Sequence, residues 1–284
     1  MRLKLFVPLL LCLLAPNLLA EVNPDWTRAI PPFRIAGNLY YVGSADLASY
    51  LIVTPQGDIL INSNLETSPP QIRQSIEQLG FHMRDVKILL ISHAHYDHDA
   101  GSAEIKRLTH ARYMVMDADV RAVETGGRDS PEPDFTRYPL TKVDHALHDG
   151  EEVRLGNTVL VAHKTPGHTP GCTTWTMQVT DAGRTYNVVI IGSPNINVGT
   201  KLIGNPLYPQ IAQDFAAGLQ TLLTLPCDIF LGAHGIYFDM KQKLTRMQPG
   251  APNPFIDPTG YRAYVTERQQ AFEAELHRQQ ATQR

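Results

Sequence analysis

Four side chains of the kinds that bind metal ions lie within six consecutive positions of the chain. The segment 92–101 has the sequence Ser-His-Ala-His-Tyr-Asp-His-Asp-Ala-Gly, and its ligand-type residues are His93, His95, Asp97 and His98. Imidazole and carboxylate are the usual protein ligands of zinc. The alternative is a solvated polar loop, but such a loop gives no reason to concentrate these groups among small residues. The segment therefore predicts a metal site.

The spacing of this segment suits two neighbouring ions. Alternate side chains project to one side of the turn, and the last histidine follows immediately in another direction. A catalytic zinc needs about three protein ligands and an open position, so at least two further ligands must come from elsewhere. The candidates are His168, in the turn 165–169, and His234, in the turn 231–235, because each follows a predicted strand among glycines. Either histidine alone would be interpreted as an ordinary core or surface residue, as we interpret His163 on the preceding strand.

The elements around the segment place it at the end of a strand. The run 86–91 is short, apolar and branched, which indicates a buried strand. The residues after it, 99–108, have helical spacing with Asp99 as a possible N-terminal cap. A turn between the carboxyl end of a strand and a helix is where open α/β sheets bind ligands.

The rest of the chain repeats strands followed by helices. Strand patterns over 33–64, 112–116 and 141–191 alternate with helical patterns over 68–80 and 210–225 and from Pro258 onward. This order predicts a single α/β domain of two similar halves, in which two sheets pack face to face with helices outside. The Gly- and Pro-rich stretch 126–139 is either a long loop over the site or a linker on the back.

The composition and the N-terminal segment indicate where the protein acts and which kinds of partner it binds. The 284 residues are 43% hydrophobic, 19% charged and carry a net charge of −3, which does not indicate a nucleic acid or an anionic surface as partner. Residues 1–20 have the basic start, apolar middle and small final residue of a secretory signal. We therefore expect a mature domain of residues 21–284 in the periplasm, not held in the membrane after signal removal, monomeric by default. Cys172 and Cys227 are expected to be free thiols.

The metal-binding segment resembles the His-x-His-x-Asp-His signature of the metallo-β-lactamase superfamily, and 165–169 and 232–235 resemble its later histidine motifs. The resemblance extends from about Pro32 to the C-terminal helix and is greatest to the subclass B3 metallo-β-lactamases. It implies a four-layer αββα sandwich and two zinc ions per chain. The implied ligand sets are His93, His95 and His168 for the first zinc, and Asp97, His98 and His234 for the second.

One position distinguishes among the hydrolases that share this signature. Thioesterases and lactonases of the superfamily usually carry a metal-bridging aspartate after the strand that corresponds to 187–191, whereas this chain has Ser193 there. The subclass B3 enzymes are similar in this respect. The resemblance therefore implies hydrolysis of the β-lactam amide by a hydroxide shared between two zinc ions, without a covalent intermediate. The alternatives are a di-zinc thioesterase or lactonase and a non-enzymatic zinc protein.

Roles for the remaining polar residues follow from these expectations. Asp97 would bind metal and orient water, and Ser193 would contact that water or the substrate carboxylate. Asn195 and Asn197 are further candidates for the substrate carboxylate, although ordinary turn residues are an equal interpretation. Some relatives place a carbonyl-assisting tyrosine near Thr200, which is too short for that role.

Overall fold

A computed structural model describes residues 23–131 and 137–282 and contains two β-sheets packed face to face. Within the described residues, the first sheet has seven strands in chain order: β1 (Phe33–Ala36), β2 (Leu39–Tyr41), β3 (Tyr50–Thr54), β4 (Gly57–Ile61), β5 (Val86–Leu90), β6 (Arg112–Met116) and β7 (His145–Leu147). The strands of the second sheet are β8 (Glu151–Leu155), β9 (Thr158–Lys164), β10 (Thr173–Asp181), β11 (Arg184–Ile191) and β12 (Ile229–Gly232), in the spatial order β12-β11-β10-β9-β8.

Strand direction determines where the connecting turns lie. In the first sheet β1 to β4 are antiparallel, whereas β4, β5, β6 and β7 run parallel. In the second sheet β11 and β12 are parallel and the other pairs are antiparallel. The run predicted as a buried strand is β5, a central parallel strand, which explains its nearly continuous apolar sequence.

Helices cover the outer faces of both sheets. The α-helices of the described residues are α1 (Pro69–Gln78), α2 (Tyr96–Asp99), α3 (Ser102–Thr109), α4 (Val120–Glu124), α5 (Ile211–Thr224), α6 (Met240–Thr245) and α7 (Pro258–Ala281). Ile72 of α1 and Ile105 of α3 pack with Leu89 outside the first sheet. On the other side Phe215 of α5 stacks on Phe272 of α7, with ring centroids 5.8 Å apart.

The space between the sheets forms the largest apolar core. Leu90 and Ile52 of the first sheet and Trp175 and Ile190 of the second are almost completely buried there. Burial alternates along β9 because one face of that strand points into this core. The predicted four-layer αββα sandwich is confirmed.

The expected capping role of Asp99 is wrong. Asp99 lies at the end of α2, is fully buried and accepts a hydrogen bond from the hydroxyl of Tyr113. Helix α3 begins only at Ser102. The backbone of Gly101 lies so close to the loop after β4 that a Cβ at this position would be 2.5 Å from the carbonyl oxygen of Ser63. The turn thus continues further than the local sequence rule predicted, because it packs against the loop after β4.

Two further expectations concern the surface and the thiols. Cys172 and Cys227 are free, the first fully buried. None of the helices formed by the described residues combines the length and the hydropathy that a membrane span requires. The predicted signal segment, residues 1–20, lies outside the described residues, as does part of the predicted loop, residues 132–136.

Candidate metal centre

Three turns that follow strands meet at one edge of the sandwich. The turn after β5 carries His93 to His98, the turn after β9 carries His168, and His234 follows β12. The backbone N–H of Thr173 donates to the carbonyl of Ser92 over 2.7 Å and so joins the first two turns. The structure brings together all six side chains predicted as metal ligands.

The first trio consists of His93, His95 and His168. Their ring centroids are 4.6 Å apart for His93 and His95, 4.6 Å for His93 and His168, and 4.7 Å for His95 and His168. One ring nitrogen of each lies within 4.8 Å of one from each of the others. All three side chains are buried. This geometry can hold one metal ion.

The second trio consists of Asp97, His98 and His234. Oδ2 of Asp97 lies 3.4 Å from Nε2 of His98 and 3.4 Å from Nε2 of His234. The rings of His98 and His234 are 4.9 Å apart. The two trios adjoin, because the ring centroids of His93 and His98 are only 4.4 Å apart.

Burial keeps most of these imidazoles neutral. It lowers the pKa of His168 to about 4 and that of His98 to about 3. Burial and then repulsion from neighbouring imidazoles lower the pKa of His93 and His95 well below its ordinary value. Neutral imidazole is the form that binds metal, so these rings lose no proton when an ion binds at neutral pH.

Asp97 is ionised in the same environment. Burial alone would raise the pKa of this carboxyl, but the neighbouring His98 and His234 hold it below its ordinary value. The second trio therefore offers one negative charge and the first offers none.

Several ring nitrogens in the cluster fit an ion better than a protein partner. Nε2 of His93 and both ring nitrogens of His98 are buried and have no hydrogen-bond partner within the described residues. A buried polar nitrogen left in this way is costly unless another group satisfies it. The donor set of imidazoles and one carboxylate is that of zinc. The residues present fit two zinc ions.

Hydrogen bonds orient the rings through the nitrogen that faces away from the cluster. Nδ1 of His168 donates to the carbonyl oxygen of Asn195 over 2.7 Å, and Nδ1 of His234 lies 2.9 Å from Oδ2 of Asp46. A proton fixed on Nδ1 leaves Nε2 free to bind metal.

A buried carboxylate holds two of the turns together. Asp119 accepts hydrogen bonds from the backbone N–H of Ala94 at 2.9 Å, the hydroxyl of Thr169 at 2.8 Å and the backbone N–H of Gly171 at 2.7 Å. These residues flank the first trio on both of its turns, so Asp119 fixes their separation.

The predicted substrate contacts lie beside the trios. Ser193 is buried, and its hydroxyl lies 3.2 Å from that of Tyr237. The side chain of Asn195 is engaged by Tyr264, to which it donates, and by Arg268, from which it accepts. Its contribution visible in the structure is therefore the carbonyl that holds His168. Asn197 and Thr200 lie further along the same half-buried loop, where the N–H of Thr200 donates to the carbonyl of Asn197.

The sequence interpretation missed three residues that shape the site: Asp46, Asp119 and Trp26. The indole N–H of Trp26 donates to Oδ2 of Asp46 over 3.1 Å. Its ring centroid lies 5.8 Å from that of His234 and 6.0 Å from that of Tyr96. Nothing in local spacing distinguishes these residues, because each acts on a turn that is distant in sequence. His163 lies outside the cluster, as expected, and its Nε2 contacts Thr176.

Known proteins of similar sequence cover part of this chain. The sequence model of the metallo-beta-lactamase superfamily matches residues 47–182. The human mitochondrial persulfide dioxygenase is 28% identical over 119 residues, which cover 42% of this chain and 38% of that protein. The chain thus spans less than two fifths of the length of the curated relatives that it matches.

Solved structures of similar fold cover nearly the whole described chain. The native FEZ-1 metallo-beta-lactamase from Legionella gormanii is 54% identical, with a TM-score of 0.87 and coverage of 89% of this chain and 98% of that one. A class B3 di-zinc metallo-beta-lactamase from an Alaskan soil metagenome is 38% identical, with a TM-score of 0.84 and coverage of 89% and 97%. The chain belongs to the metallo-β-lactamase superfamily, and its structural relatives there include class B3 metallo-β-lactamases.

Proposed function

We propose that this protein is a di-zinc hydrolase that opens the amide bond of β-lactams. The observation that carries the proposal is the pair of adjoining trios at one edge of the sandwich, in which five ligand-type side chains are buried and that of His234 is 12% exposed. The identity of 54% over 98% of a metallo-beta-lactamase supports the choice of substrate class.

Each trio would hold one zinc ion. His93, His95 and His168 would bind the first, and Asp97, His98 and His234 the second. Zinc supplies Lewis acidity and lowers the pKa of water to about 7, which makes a nucleophile available at neutral pH. Asp97 adds the one negative charge of the ligand set, and it also faces His98 and His234, so it helps to fix their orientation.

Neither Ser92 nor Ser193 is paired with a base that is free to accept its proton. The buried hydroxyl of Ser92 lies 3.2 Å from Nδ1 of His93, but that ring would itself be held by the first zinc. The hydroxyl of Ser193 contacts Tyr237 and the backbone N–H of Asn195 rather than a histidine or lysine base. Serine nucleophiles need such a base. We therefore propose hydrolysis without a covalent intermediate, with Ser193 and Asn197 placed to contact the substrate carboxylate.

Ser193 also favours a β-lactam over a thioester or lactone. It directly follows Gly192 at the end of β11, the position where thioesterase- and lactonase-type members usually carry a metal-bridging carboxylate. Hydroxyacylglutathione hydrolase of Methylobacterium, at 33% identity over 91 residues, makes a thioester the natural competing substrate to test.

The test is a hydrolysis assay of purified mature protein on a carbapenem, a penicillin, an acyl-glutathione thioester and a lactone. We expect β-lactam turnover that a chelator abolishes and zinc restores. His93→Ala and Asp97→Ala should each reduce turnover by about a thousandfold or more while the fold is kept.

The matched control is His163→Ala, which removes a histidine on β9 outside both trios and should leave turnover unchanged. Thioester or lactone hydrolysis without β-lactam turnover would contradict the proposed substrate. Full activity in either ligand variant would contradict the site.

Export is a separate proposal. We infer that residues 1–20 are a secretory signal and that residues 21–284 act in the periplasm as a monomeric hydrolase domain. The basic and apolar pattern of residues 1–20 supports this. The mass of the protein recovered from the periplasm should correspond to a chain that begins near Glu21, and recovery of the full-length chain in the cytoplasm would contradict it.

A further inference from the structure

A chain of three side chains connects the N-terminal arm, residues 23–30, to the second trio. The indole N–H of Trp26 donates to Oδ2 of Asp46 over 3.1 Å, and the same oxygen lies 2.9 Å from Nδ1 of His234. On the other side of its ring, Nε2 of His234 faces Asp97 at 3.4 Å. Two hydrogen bonds, through Asp46, thus connect the arm to a proposed metal ligand.

Asp46 is held rigidly enough to orient another residue. Its second carboxylate oxygen accepts from the backbone N–H of Ile236 at 3.0 Å, and its carbonyl accepts from the N–H of Gly235 at 2.6 Å. Only 12% of its side chain is exposed. Both carboxylate oxygens are therefore engaged, and the carboxylate cannot rotate without breaking a bond to the turn that carries His234.

The arm is fixed to the same turn as Asp46. The backbone N–H of Ala45 donates to the carbonyl of Arg28 over 2.9 Å, and the hydroxyl of Ser44 donates to the carbonyl of Asp25 over 3.0 Å. These contacts place the Trp26 indole above Asp46 and against the ring of His234, with centroids 5.8 Å apart.

We propose that Trp26 and Asp46 are positioning residues for the second zinc ion: together they fix the His234 ring with its Nδ1 proton toward the arm and its Nε2 toward the second trio. The inference rests on the proposed role of His234 as a metal ligand. The proposal predicts that changes at Trp26 or Asp46 weaken zinc binding at the second trio but not at the first. In the first trio, His168 is oriented by a different group, the carbonyl of Asn195. Loss of a hydrogen-bond partner behind a ligand histidine typically weakens metal binding by about 10- to 100-fold.

The experiment measures the two stepwise zinc dissociation constants of the full mature protein by competition with a chromophoric chelator. Asp46→Asn keeps the shape of the side chain but replaces one acceptor oxygen by an NH₂ group. That NH₂ must face either the N–H of Ile236 or the N–H groups of Trp26 and His234, so one of these hydrogen bonds is lost. We expect the second dissociation constant to rise about 10- to 100-fold and the first to stay within about twofold. Trp26→Phe keeps an aromatic side chain but removes the indole N–H, so we expect a smaller rise of about 3- to 10-fold.

The matched control is Arg28→Gln, which removes an exposed ion pair with Asp25 from the same arm without touching Asp46. Both its dissociation constants should equal those of the unsubstituted protein. Thermal unfolding of the metal-free proteins shows whether each variant is folded at the temperature of the titration. Loss of fold would weaken both zinc sites, whereas a positioning role raises only the second constant.

The outcomes separate the two proposals. If the unsubstituted protein binds fewer than two zinc ions, the proposed function fails and the inference fails with it. If it binds two and both variants retain the second constant, or weaken both sites equally, only the positioning role is overturned. A selective rise of the second constant, ordered Asp46→Asn above Trp26→Phe, supports it.

Discussion

The two trios lie side by side but are built on different electrostatics. The first consists of three imidazoles whose pKa burial lowers, and its outermost ring is oriented by a backbone carbonyl. The second contains the ionised Asp97, and His234 in it is oriented by a second carboxylate. The first trio consists of neutral rings, one of them held by a backbone carbonyl, whereas the second combines the neutral ring of His98 with charged side chains.

The pKa of one histidine shows the difference most clearly. Burial alone would lower the pKa of His234, but Tyr237 and then the carboxylates beside it raise that pKa well above its ordinary value. His168 is buried and donates to the carbonyl of Asn195 behind its ring rather than to a carboxylate, and burial lowers its pKa to about 4. The surroundings of the second trio therefore favour a charged imidazolium at His234, whereas those of the first trio disfavour one, and an ion that binds His234 competes with that proton.

The largest effect is expected from Asp119, which joins the turn that carries His93 and His95 to the turn that carries His168. Asp119→Ala leaves the N–H groups of Ala94 and Gly171 and the hydroxyl of Thr169 without their acceptor in a buried place. We expect the free energy of unfolding of the metal-free protein to fall by about 3 kcal/mol, measured by denaturant unfolding.

Asp117 supplies the control for that change. It lies two residues away and its side chain is 39% exposed, where it pairs with Lys164 and His148. Asp117→Ala should cost less than about 1 kcal/mol. Equal losses in the two variants would show that Asp119 is no more than an ordinary acidic residue of this loop.

Acid sensitivity gives the next effect in size. Because folding lowers the pKa of His168 from 6.5 to about 4, the unfolded chain binds a proton at this residue first. Its contribution to stability is therefore complete above pH 6.5 and is lost as the pH falls toward 4. When the pH falls from 6.5 to 5, the free energy of unfolding of the metal-free protein should decrease by about 2 kcal/mol more than that of the His168→Gln variant. Denaturant unfolding at each pH measures both. If the unfolding free energies of the two proteins changed equally with pH, His168 would not be a neutral buried ring, and the proposed difference between the trios would be contradicted.

The smallest effect is expected from Arg268, whose guanidinium holds the side chain of Asn195. The guanidinium of Arg268 donates to Oδ1 of Asn195 over 3.0 Å, and the carbonyl of the same residue holds His168. Arg268→Met should weaken the first zinc about two- to fivefold and leave the second unchanged, the reverse of the pattern expected for Asp46→Asn. Arg278→Met, which removes an exposed pair with Glu275, is the control and should change neither constant. Chelator competition measures both.

The sequence is sufficient to predict the sandwich and the six residues of the trios. The strand β5 and the four ligand-type residues after it are adjacent in sequence, so local pattern and residue type carry that part of the prediction. Asp46 and Asp119 could not be found in this way, because their roles depend on turns that only the folded chain brings near. Asp99 shows the opposite error: its capping role followed from local preference, but packing against Tyr113 takes precedence.

The contact between Asp46 and His234 joins residues 188 positions apart. Beside it, Leu47 pairs with His234, and the N–H of Ala48 donates to the carbonyl of Ala233. The four ligand-type residues His93 to His98, by contrast, lie on one turn of a contiguous strand and helix. Closing so long a loop slows formation of a contact relative to local structure. Whenever the chain becomes available from its N-terminus onward, the second trio cannot be completed until His234 has emerged, so it is among the last parts of the molecule to form.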